Sequence, residues 1–90
     1  MISYEEEIEL ETTIVMVSSA IAIIDKKTLG IKTPEERELS KSLYQTRDNL
    51  KSGQWKYEDL EIIRKKCREI YNEYQNRPNS PELESLNDAK

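Results

Sequence analysis

Ninety residues leave room for one domain and no more. The net charge of −4, with charged residues at 36%, argues against a general nucleic-acid binder and against docking on anionic membranes, since both need basic excess. Histidine is absent and Cys67 is the single cysteine, which removes Ser–His–Asp and Cys–His catalysis, zinc knuckles and any internal disulfide.

The uncharged run from Thr12 to Ile24 is shorter than the ~20 residues a bilayer span requires. Its upstream flank is acidic (Glu5, Glu6, Glu7, Glu9, Glu11), whereas a secretory signal carries basic residues there. A lone cysteine fits a reducing compartment, and the expected location is the cytoplasm. Only two glycines and three prolines occur, a scarcity of breakers that suits long helices and poorly suits strands.

In chain order, Ser3 with Glu6 reads as a capping box opening a first helix over about Tyr4 to Thr28. Leu10, Ile14, Val17, Ile21, Ile24 and Thr28 form its helical stripe. β-Branched residues crowd this stretch and favour strands, but apolar and polar positions do not alternate and no turn interrupts them. Lys26 and Lys27 complement the helix dipole near the end, and Gly30 is expected to close the helix. Ile8, Val15, Met16, Ala20, Ala22 and Ile23 lie off the stripe. The middle of this helix is therefore apolar nearly all round, which calls for a central position or burial against another chain. The expectation is self-association through helix one, at Ile14, Val15, Val17, Ile21 and Ile24.

Thr33-Pro34-Glu35-Glu36 is the strongest local signal: Thr33 caps, Pro34 sits where its missing N–H costs nothing, and Glu36 completes a capping box. Leu39, Leu43, Thr46 and Leu50 form the inward stripe of a second helix, which Ser52-Gly53 ends. Trp55 and Tyr57 fall in a short connection. Leu60, Ile63, Cys67, Ile70 and Tyr74 mark a third helix, stopping near Gln75 because the residue before Pro78 avoids α geometry. Residues 1–76 read as one helical domain and 77–90 as a mobile polar tail. The fold class is all-α, an antiparallel three-helix bundle, with a short fourth helix only if the tail supplies it.

No pattern for a cofactor, phosphate loop or metal ion is present, the calcium-loop spacing included. Arginines begin only at Arg37, which speaks against a small helical enzyme gripping a dianion. A non-catalytic protein is expected. The partner-binding candidates are Trp55 and Tyr57, bordered by Tyr44 and Tyr71, because aromatic residues with polar tips are enriched at interfaces; the same residues also plug bundle ends. Arg64, Lys65, Lys66 and Arg68 could receive an acidic partner or an anion, or be a solvated face with i,i+4 pairs Glu61–Lys65 and Glu73–Arg77. The Glu5–Glu11 run either engages a basic partner or stabilises a helix N-terminus. Cys67 reads as a core residue.

From Thr33 to Gln54 the string TPEERELSKSLYQTRDNLKSGQ resembles the middle of the class II bacteriocin immunity proteins. That resemblance implies a small cytoplasmic four-helix bundle that protects a producer cell by recognising its own bacteriocin bound to a membrane receptor. The fourth helix would have to come from beyond Pro78. The reading that joins these strands is a helical interaction protein that binds and occupies a macromolecular protein partner, as an inhibitor, immunity or anti-defence factor of bacterial or phage origin would. A contrasting expectation is an oligomeric sponge enclosing a small anionic ligand between chains, with Arg64, Lys65 and Arg68 facing it; a third is a structural assembly subunit.

Overall fold

A computed structural model describes residues 3–29 and 31–77. Three helices follow in order: α1, Tyr4–Thr28; α2, Pro34–Lys51; and α3, Tyr57–Gln75. The all-α three-helix bundle is therefore the architecture of the described residues. Of the tail assigned to residues 77–90, Arg77 is described and is paired with Glu36 and Glu73; the rest, and any fourth helix in it, lies outside the described residues.

Local chemistry accounts for each helix end. The Ser3 hydroxyl accepts from the Glu6 amide at 3.2 Å, satisfying one donor that the first turn leaves without a partner. At α2 both halves of the capping box form. Thr33 Oγ1 accepts from the Glu36 amide at 3.1 Å, and Glu36 Oε1 accepts from the Thr33 amide at 3.0 Å. The left-handed residue ending α1 is Leu29 (φ 51°), whose amide donates to the Asp25 carbonyl; the pattern pointed to Gly30, which lies outside the described residues. Tyr57 is the first residue of α3 and not part of the preceding connection. Lys56 takes the cap position without a side-chain bond, which is why no cap residue signals the start. Gly53 carries φ 82° in the α2–α3 turn, a conformation glycine adopts without a Cβ penalty.

The core is built on α1. Val17, Ala20, Ile21, Ile23 and Ile24 are buried with Leu43 and Leu50 of α2 and Leu60, Cys67, Ile70 and Tyr74 of α3. Thr13 and Thr28 are buried as well, and each hydroxyl donates to the carbonyl four residues back, of Glu9 and Ile24. That local bond is what lets a hydroxyl sit among aliphatic neighbours. Burial of the eleven core side chains is the main stabilising term, at about 1.5–3 kcal/mol for each larger aliphatic one.

Direction follows from the cross-links. Arg47 of α2 reaches Ser18 of α1, and Arg64 of α3 reaches Thr13 and Glu9. Tyr74, near the end of α3, meets Glu36 near the start of α2. Hence α2 runs antiparallel to both α1 and α3, which are parallel to each other. Both pack along α1, yet no Cα of α2 comes within 8 Å of a Cα of α3. A groove therefore runs between α2 and α3.

Candidate functional site

Trp55 occupies the end of that groove. The α2–α3 turn holds it there: the Gln54 amide donates to the Asn49 carbonyl at 2.8 Å, and Trp55 is half-buried against the core. Two depressions meet at its ring. One, of about 280 Å³, is lined by Thr46, Asn49 and Leu50 of α2, by Gln54 and Trp55, and by Asp59, Ile62 and Ile63 of α3. The other, of about 460 Å³, lies against the start of α1 and is lined by Glu6, Leu10, Leu50, Lys51, Gly53, Trp55 and Tyr57. Ile62 remains 66% exposed at the rim of the first, an apolar side chain in water beside an indole.

Tyr57 is exposed, and the Glu9 carboxylate near its phenol, with Glu6 and Glu5 adding to the effect, pushes it above the ordinary tyrosine value. It stays neutral across the physiological range and can donate or accept. The structure thus brings Trp55 and Tyr57 together at one end of the bundle. Tyr44 lines neither depression; it lies on α2 with the Arg47 guanidinium 4.9 Å from its ring centroid. That stacking shields one face of the ring.

The basic residues of α3 do not form one patch. Arg64 is half-buried and turned into the α1–α3 contact, donating to Thr13 Oγ1 at 3.0 Å and to Glu9 Oε1 at 3.4 Å. Lys65 is exposed. Arg68 lines a different depression, of about 240 Å³, with Met16, Ser19, Cys67 and Tyr71. Burial raises the Cys67 thiol above its ordinary value, so at neutral pH it is a thiol, the less nucleophilic form.

The expected helix-one set also divides. Val17, Ile21 and Ile24 are buried in the chain's own core. Ile14 is half-buried, and Val15 is 63% exposed. The covering of the first three comes from α2 and α3 of the same chain.

A second polar cluster closes the opposite end of the groove; pattern reading paired Glu73 with Arg77 but missed that Tyr74 and Glu36 join them. The Tyr74 hydroxyl donates to Glu36 Oε2 at 2.8 Å. Arg77 donates to Glu36 Oε2 at 3.2 Å and to Glu73 Oε1 at 2.8 Å, with its guanidinium 4.2 Å from the Tyr74 ring centroid. The amide bond from Thr33 and the Tyr74 hydroxyl hold the Glu36 carboxyl below its ordinary value. Burial, with Glu36 beside it, pushes the Tyr74 phenol up to about 12. The signal for this cluster is the buried hydroxyl of a stripe tyrosine, which needs a partner when desolvated.

Among the described residues no group of three or more His, Cys, Asp or Glu side chains could hold a metal ion, and no helix is long and apolar enough to cross a membrane. Compared with models of known protein families, with curated proteins and with solved structures, the chain matches none.

Proposed function

We propose that this chain is a non-catalytic helical interaction protein that binds and occupies a macromolecular protein partner through the Trp55 end of the bundle. The observation that carries the reading is the half-buried indole placed between two open depressions, with Ile62 and Tyr57 exposed beside it. A rigid aromatic anchor surrounded by polar rim residues (Asn49, Gln54, Asp59) is the arrangement in which a few side chains carry most of a binding energy. Nucleic acid is a poor match for a chain of this charge. The sequence pattern of an immunity, inhibitor or anti-defence factor working in the cytoplasm of a bacterium is consistent with such a surface. The class II bacteriocin immunity resemblance belongs to that proposal, and a homo-oligomer formed through helix one is a further part of it.

The test is quantitative. Native mass spectrometry of protein purified gently from its host shows which polypeptide, if any, co-purifies, and titration calorimetry then measures its affinity. Trp55→Ala is expected to weaken that affinity by ~1 kcal/mol or more, about fivefold or greater. An unchanged dissociation constant in a folded variant removes Trp55 from the site.

The sponge reading receives less support, because Arg64 is engaged with Glu9 and Thr13 and does not face the depression that Arg68 lines. An extra mass of constant size per chain in the native spectrum would revive it.

A further inference from the structure

The outer side of α1 carries a row that the bundle leaves uncovered. Ile8, Val15 and Ala22 recur every seven residues and are all exposed, Ile8 at 45% and Val15 at 63%. Such spacing keeps one side of a helix against one neighbouring helix, with a drift of only ~20° per repeat. The row spans about 21 Å at 1.5 Å per residue. Thr12 and Ser19 lie between its members and are small enough for close approach. On the α3 side it continues into the depression lined by Met16, Ser19, Cys67, Arg68 and Tyr71.

We infer that this row seats the same row of a second copy, in an antiparallel pair whose two-fold axis passes at Val15. The inference rests on the reading that the chain self-associates, and it replaces the residues responsible. Val17, Ile21 and Ile24 serve the core of one chain; Ile8, Val15 and Ala22 serve the contact between two. Ile8 packs on the partner's Ala22, Val15 on the partner's Val15.

Charge decides direction and register. A parallel pair would bring the acidic first turns of both copies, Glu5, Glu6 and Glu7, to the same end. In an antiparallel pair like flanks meet: Glu5, Thr12, Ser19 and Lys26 form one flank, and Tyr4, Glu11, Ser18 and Asp25 the other. With Val15 on the axis, Lys26 comes level with the partner's Glu5, and Asp25 with the partner's Tyr4, each within about one residue rise of 1.5 Å. Neither Glu5 nor Lys26 has an ion-pair partner among the described residues, and the Tyr4 side chain is 77% exposed. Sliding the pair by one repeat would set Glu11 beside the partner's Asp25, a like-charge contact. The register centred on Val15 avoids it.

Size sets the strength. The exposed apolar surface of Ile8, Val15, Ala22, Met16 and Tyr71 comes to roughly 300 Å² by the ordinary areas of these side chains. At the usual apolar share of an interface, slightly over half, this corresponds to about 1,000 Å² buried in total, the lower bound for a specific contact. The dimer therefore forms at a dissociation constant on the order of micromolar or weaker.

Sedimentation velocity over ~1 μM to ~1 mM is expected to show monomer passing to dimer. Val15→Lys puts two like charges on the axis at an exposed helix position and is expected to leave only monomer, with unchanged helical circular dichroism. Lys26→Glu alone weakens the dimer roughly fivefold, since two ion pairs are lost, and adding Glu5→Lys restores it. Oxidation of Ile8→Cys mixed with Ala22→Cys gives a cross-linked dimer, and Ile8→Cys alone gives none. A wild-type chain that is monomeric at every concentration overturns self-association itself. A dimer that survives Val15→Lys overturns this face alone, and a self-linked Ile8→Cys overturns the antiparallel direction.

Discussion

Tyr74 and Glu36 show how one buried hydroxyl ties the far ends of two helices. The tyrosine is 3% exposed, and its hydroxyl has the Glu36 carboxylate at 2.8 Å. Removing that hydroxyl in Tyr74→Phe is expected to cost about 1.5–3 kcal/mol, the range for a hydrogen bond to a charged group, measured by urea unfolding. The pair also sets a pH dependence with two limbs. The native Glu36 value lies below the ordinary 4.5, so its contribution is complete above the unfolded value and is lost as pH falls through the native one. The Tyr74 phenol works on the alkaline side. Its neutral form is favoured in the fold, so its contribution is complete below the ordinary value of 10 and is lost as pH rises toward about 12. Wild-type stability is expected to fall on both sides, and Tyr74→Phe is expected to flatten the alkaline fall. An alkaline limb of the same size in the variant would assign it to other tyrosines.

Among the helices, α2 depends most visibly on its start. Both bonds of its capping box are made, and Pro34 fixes the first turn. Thr33→Ala is expected to destabilise the chain by ~1 kcal/mol; a midpoint of denaturation within error of wild type would contradict it. This box was legible in the sequence because capping is a contact over three residues, and the bounds of α1 and α2 followed from such local chemistry. The start of α3 was not legible, since Lys56 offers no side-chain cap. The inward stripe of α1 was legible from its period, since Val17 lies on it and is fully buried while Val15 lies off it and is 63% exposed. How far burial spreads beyond the stripe was not legible: Ala20 and Ile23 lie off it and are buried as well, because both α2 and α3 pack along α1, and that is a tertiary fact. Arg64 was misplaced for the same reason. Its neighbours in sequence are solvent-facing lysines, whereas its partners, Glu9 and Thr13, come from a helix more than fifty residues earlier.

At the scale of the molecule, the three helices are not held equally. α1 lies at the centre and supplies five of the eleven core side chains. α3 adds four, Leu60, Cys67, Ile70 and Tyr74, and is tied to α1 by the Arg64 bonds. α2 adds Leu43 and Leu50, together with a buried Ser40 whose hydroxyl has no hydrogen-bond partner among the described residues. It has α1 on one side and the groove on the other, with no backbone approach to α3. Local opening free energy follows the apolar surface a segment buries, so α2 is the unit that opens first. Hydrogen exchange read by mass spectrometry is expected to find amides of α2 exchanging faster than those of α1 and α3, with the middle of α1 slowest. Opening of α2 widens the groove at Trp55, so a ligand seated there would slow exchange in α2 more than in α1. Uniform exchange across the three helices would show that the bundle opens only as a whole. The Trp55 site would then be a preformed pocket and not one whose width follows the motion of a single helix.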